Sequence, residues 1–95
     1  MDGVDQLEYD EITARLRGLM ILMDDRLSAG DLIIVAEFID VGELGLALDQ
    51  MAFALCEGEA PVAQTERAGM LALAKRMSLG SQVSRALRFC PERPD

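Results

Sequence analysis

This sequence has no histidine and no tryptophan, one tyrosine, three phenylalanines, three prolines and two cysteines among 95 residues. Each shortage closes off a class of chemistry. Without histidine there is no Ser-His-Asp or Cys-His arrangement for nucleophilic catalysis, and no Glu-x-x-His pair for a di-metal centre. Cys56 and Cys90 lie 34 positions apart with no CxxC pair, so a zinc site lacks both its ligands and its spacing. Aromatics amount to 4% and no run alternates cleanly between apolar and polar residues, which counts against a sheet. Residues 32–56 are long enough to span a bilayer, but they carry Glu37, Asp40, Glu43 and Asp49 as well as Gly42 and Gly45. Carboxylates at those depths argue against a membrane span. The opening MDGVDQLEYDE is acidic and lacks the apolar core of a signal peptide. Gly42-Glu43-Leu44-Gly45 follows no strand pattern and holds an acid that would repel phosphate, so it is no phosphate cradle.

Positive charge is the remaining shortage. Nine Lys and Arg stand against 17 Asp and Glu, for a formal charge of −8. The imbalance is uneven: −11 over residues 1–59 and +3 over residues 60–95. An acidic body repels phosphate backbones and suits a basic protein partner, whose approach it would steer. Arg67, Lys75, Arg76, Arg85 and Arg88 are the main material for a helix-turn-helix reader, and they are few against that body. The expectation is a cytoplasmic protein with reduced thiols that uses no metal or cofactor and binds neither nucleic acid nor membrane.

What is present is apolar and helix-forming: 51% hydrophobic residues, rich in Leu, Ala and Met. One helical domain over residues 1–95 is expected, an all-α compact bundle of four to five short helices, with 1–4 and 91–95 as loose termini. A first helix over about 5–28 buries Ile12, Leu16, Leu19, Met20, Met23 and Leu27, turns Ile21 outward, and stops at Gly30 in the left-handed conformation. Asp31 caps a second helix over about 32–41, with Leu32, Val35, Ala36 and Ile39 inward and Ile33, Glu37 and Asp40 together on the other side. A third, over about 43–56, aligns Leu44, Leu48, Met51 and Leu55 at i, i+4, i+7 and i+11 spacing and ends at Gly58. A fourth over about 64–78 buries Met70, Leu73, Ala74 and Met77, and Glu66 can reach back to its start. A fifth over about 82–89 points Val83, Leu87 and Phe89 inward. Cys56 is expected inside and Cys90 outside, and the methionines are expected to fill the core.

The third helix is apolar on two sides, because Leu46 and Phe53 lie opposite its main stripe among Glu43, Asp49, Gln50 and Glu57. They are expected to pack beneath the fourth or fifth helix. If exposed instead, they and Ile33 form the seam of an acidic helical homodimer, a regulatory or structural module. No catalytic residues are assigned, because a carboxylate pair here has no nucleophile, oxyanion hole or metal scaffold beside it.

Phe38-Ile39-Asp40-Val41-Gly42-Glu43-Leu44-Gly45-Leu46-Ala47-Leu48 resembles the core motif of small bacterial immunity proteins of the MafI type, which accompany polymorphic and contact-dependent growth-inhibition toxins. The likeness runs on through Leu55, Glu57, Pro61-Val62, Glu66 and Leu73-Ala74-Lys75-Arg76-Met77-Ser78-Leu79, and covers about residues 34–79. Asp49 stands where Glu is expected, and Ala63 where Ser or Thr usually caps the next helix. The resemblance implies a helical cytosolic antitoxin that binds one cognate toxin domain and blocks it. Many such toxins are nucleases with basic clefts, which an acidic helical face could occupy. The expected contact surface is Glu37, Asp40, Glu43, Asp49 and Glu57, with Ile33 as apolar anchor and Asp24 and Asp25 as outer charges.

Overall fold

Leu44, Ala47, Leu48, Met51, Ala52, Ala54 and Leu55 are all buried, so the helix that carries them must be covered on most of its circumference. This helix, α3 (Leu44–Glu57), packs against the four others: α1 (Gly3–Leu22), α2 (Ala29–Asp40), α4 (Gln64–Arg76) and α5 (Gln82–Leu87). The computed structural model describes residues 3–94, with side chains from 6 to 94. The architecture is the all-α bundle expected from the residues, with five helices among those described. No described helix is long and apolar enough to cross a membrane.

The first helix stops six residues earlier than its periodicity suggests. Ile12, Leu16 and Leu19 are buried on α1, and the stripe continues through Met23 and Leu27 in a turn rather than in helix. Asp24 and Asp25 would place negative charge at a helix C-terminus, where the dipole disfavours it. Arg26 then folds inward and donates to the Leu22 carbonyl at 2.9 Å. Ser28, not Asp31, caps α2: its Oγ accepts from the Asp31 backbone N–H at 3.0 Å and donates to the Asp31 carboxylate at 3.0 Å. Gly30 is therefore the second residue of a helix and not the end of one.

Arg26 is the most heavily bonded side chain of the interior. Its guanidinium spans both oxygens of Glu66, at 2.7 and 2.8 Å, and donates to the Pro61 carbonyl at 3.0 Å. Both side chains are nearly sealed from solvent. Glu66 also accepts from the Ala63 N–H at 2.9 Å, the reach-back expected at the start of α4. Only that half of a capping box exists, since alanine offers no side-chain oxygen. The Arg26 hydrogen bonds hold the Glu66 carboxyl at a pKa of about 2, against an ordinary 4.5.

Three helices end in the same way. After α2, α3 and α4 the chain closes with paired backbone bonds: Glu43 N–H to Phe38 O and Gly42 to Ile39, Ala60 to Leu55 and Glu59 to Cys56, and Leu79 to Ala74 and Ser78 to Lys75. This Schellman closure needs a left-handed residue at its centre. Gly42 supplies it with φ of 81°, but Glu59 (47°) and Ser78 (57°) do so with side chains in place. Gly58, expected to end α3, misses the position by one residue, and Gly80 lies two residues beyond Ser78. Glu59→Gly and Ser78→Gly should each stabilise the fold by about 1 kcal/mol, a rise in Tm of about 4–8 °C in thermal melts. Gly58→Ala, at an ordinary φ of −87°, should produce no loss.

The chain after α5 departs from expectation. The helix stops at Leu87, and tight turns from Phe89 N–H to Ala86 O and Cys90 N–H to Leu87 O rotate Cys90 into the core and leave Phe89 68% exposed. Burial raises the Cys90 thiol pKa, while Cys56 is only half-buried, the reverse of the order expected. Glu92–Arg93, in the segment expected to be loose, pairs in parallel with Val62–Ala63 to form β2 and β1. Residue 95 and residues 1–2 of the other expected loose end lie outside the described residues. Met23, Met51 and Met70 are fully buried core filler, as expected.

Candidate partner-binding face

The helical repeat puts Gly30, Ile33, Ile34, Glu37, Asp40 and Val41 on one side of α2, and all six are exposed. Opposite them Val35 and Ile39 are buried against the bundle, while Leu32, Ala36 and Phe38 sit at the margin. A helix with one stripe in the core should be polar elsewhere. Here Ile33, Ile34 and Val41 remain in water beside two carboxylates. Ile34, Glu37, Phe38, Asp40 and Val41 line an open depression of about 400 Å³. Its apolar lining borders two acids, which suits an apolar side chain carried beside basic ones.

Ile33, Glu37 and Asp40 thus stand together as expected, and Ile34 and Val41 join them. These two were missed although the signal was present, since Ile34, Phe38 and Val41 recur at i, i+4 and i+7. The Asp40 carboxylate accepts from Arg17 of α1 at 3.0 Å. This pair is exposed and adds little stability, about 0–1 kcal/mol.

The other expected contact residues are spread out. Glu43 is exposed at the joint next to Val41, where it starts α3 with no side-chain cap bond. Glu57 is exposed at the far end of α3, roughly 20 Å along a helix of 14 residues. Asp24 and Asp25 are exposed in the turn ahead of α2, where Asp25 accepts from Arg26 at 3.4 Å. Asp49 does not belong to an open acidic face. It is half-buried, its Oδ1 is sealed from solvent without a hydrogen-bond partner, and burial raises its pKa. Helix geometry sets it between Gly45, against which Leu79 packs, and exposed Phe53, each about one turn away.

No known family, curated protein or solved structure matches this chain. The face has therefore to be read from its own chemistry. Leu46 and Phe53 are 47% and 55% exposed, not covered by α4 or α5 as expected. The space beside α3 is filled instead from its other side, where Leu79 lies 2.9 Å from where a Gly45 Cβ would be. The bases of the last third are partly spent inside the fold: Arg67 donates to the Leu87 and Cys90 carbonyls at 2.6 and 3.2 Å, and Arg76 to Glu8 and Glu11. Among the described residues no group of three potential ligands could hold a metal ion.

Proposed function

We propose that this chain is an immunity protein, an inhibitory binding protein that neutralises a basic protein toxin through the outer face of α2. The observation that carries this reading is the depression that exposed Ile34 and Val41 line together with Glu37 and Asp40. Supporting it are the charge of −11 over residues 1–59 and the sequence resemblance of residues 34–79 to MafI-type immunity proteins. The acids would speed encounter with a cationic surface, and the apolar residues would slow release. A nuclease domain with a basic substrate cleft is the partner class that fits such a face.

The test is capture of the partner from the host with this chain as bait, followed by expression of the captured polypeptide alone. The reading requires a basic polypeptide that stops growth and is neutralised by co-expression of this chain. Glu37→Lys with Asp40→Lys should weaken binding more than tenfold and flatten its salt dependence, measured by calorimetry. Asp40→Asn controls for the cation that a lysine would place beside Arg17. Unchanged affinity in the charge-reversed variant would remove the α2 face from the interaction.

Exposure of Leu46, Phe53 and Ile33 favours a second reading, a homodimer with these residues in its seam. Sedimentation would then give a mass that rises with concentration, and Phe53→Ser would return it to that of one chain.

A further inference from the structure

Two glycines in this fold have no internal reason to be glycine. Gly18 of α1 and Gly69 of α4 lie within helices, and a Cβ built on either would meet nothing within 4 Å. Neither has the positive φ that Gly42 and Gly80 show. A helix-interior glycine is disfavoured relative to alanine, so each lowers stability without permitting any close packing in the chain. Both border the same space. A groove of about 420 Å³ runs between the two helices, walled by Gly18, Leu19 and Leu22 on one side and Gly69, Ala72 and Leu73 on the other.

The groove has a polar end. Arg15 and Arg76 complete its lining and meet on one carboxylate: Arg15 Nη2 lies 3.2 Å from Glu11 Oε2, and Arg76 Nη2 lies 3.1 Å from Glu11 Oε1. Arg76 Nε also reaches Glu8 at 3.4 Å. Two guanidiniums side by side form a carboxylate receptor, because each presents a planar fork of donors. From Arg15 to Leu22 the wall runs about 10 Å at helical rise, with charge at one end and apolar side chains at the other. The volume is that of a small-ligand site.

We propose that this groove binds a single-chain carboxylate amphiphile, of the class of medium-chain fatty acids. The tail lies over Gly18 and Gly69 against Leu19, Leu22 and Leu73, and the carboxylate head takes the place of Glu11 on the Arg15–Arg76 pair. Glu11 is then an internal stand-in that keeps the guanidiniums together while the groove is empty. This site is separate from the α2 face and does not depend on the function proposed for it.

The experiment is a titration of the isotope-labelled full chain with sodium decanoate below its micelle concentration, followed by amide NMR. Decanol and decyltrimethylammonium serve as matched tails with other heads. Decanoate should bind saturably, shift amides within residues 15–22 and 69–76, and bind at least tenfold tighter than either control. Gly18→Leu and Gly69→Leu should each weaken it more than tenfold without lowering Tm, since both remove a helix-interior glycine. Glu11→Gln should tighten it severalfold by freeing the guanidinium pair. Equal binding of the three ligands, shifts confined to other helices, or full affinity in both leucine variants would overturn the proposal. So would a dimer abolished by Gly69→Leu, which would make a second copy the occupant of the groove.

Discussion

Arg26→Ala is expected to destabilise the protein by about 3–5 kcal/mol, a fall in Tm of about 15 °C or more. Total stability for a domain of this size is about 5–15 kcal/mol, so the loss approaches the whole of it at the lower end. The cost does not come from the attraction of the pair alone. Removing the guanidinium leaves the Glu66 carboxylate nearly sealed and unpaired, and takes the hydrogen bonds from the Pro61 and Leu22 carbonyls. Glu66→Gln leaves Arg26 with only the longer, exposed pairing to Asp25 but keeps an oxygen for the Ala63 N–H, and should cost less. An apolar pair, Arg26→Met with Glu66→Leu, should recover only part of the loss, because the backbone groups stay unpaired. The same contact sets an acid limit. Glu66 titrates near 2 in the fold and near 4.5 when unfolded, so its contribution is fully present above 4.5 and disappears as pH falls toward 2. That separation corresponds to about 3 kcal/mol. Denaturant melts between pH 6 and pH 2 should show the decline in the parent chain and a flatter profile in the apolar pair.

Gly42→Ala should cost about 2 kcal/mol, lowering Tm by about 10 °C. Two causes act at one atom. The φ of 81° is left-handed, and an added Cβ would sit 3.1 Å from the Tyr9 hydroxyl oxygen. Tyr9→Phe in the same chain removes the second cause and leaves the first, so it should restore part of the loss. If Tyr9→Phe restores all of it, the strain lies in the contact and not in the backbone. Because the joint fixes how α2 leaves α3, amide exchange at residues 38–46 should accelerate in Gly42→Ala.

The inward stripes of the bundle were legible because burial leaves a period in the sequence. Ile12, Leu16 and Leu19, then Leu44, Leu48, Met51 and Leu55, then Met70, Leu73 and Ala74 are buried at the expected spacing. The ends of elements were less legible, because a cap is decided by which of several neighbours wins. Ser28 and Asp31 could both cap α2, and the hydroxyl did so with the carboxylate as its own acceptor. The left-handed positions after α3 and α4 fell on Glu59 and Ser78 with glycines close by, since backbone bonding and the burial of Ala60 and support from Leu79 fixed the register. The tie between Arg26 and Glu66 has no local sign at all: forty positions separate the two residues. On the candidate face the charges of α2 were legible from one helical turn. The exposure of Leu46 and Phe53 was not, because it depends on where α4 and α5 lie.

The three-residue joint around Gly42 also bears on the order of events in folding. α2 and α3 meet through contacts that are near in sequence, closed by the bond from Glu43 to Phe38. Such pairs form before distant ones, since little chain entropy is lost in bringing them together. Arg26 must wait for Glu66, and Arg76 for Glu8 and Glu11 at the other end of the chain. The acidic apolar face of α2 should therefore form with the early hairpin of the molecule, and the long-range ion pairs should lock the remaining helices around it.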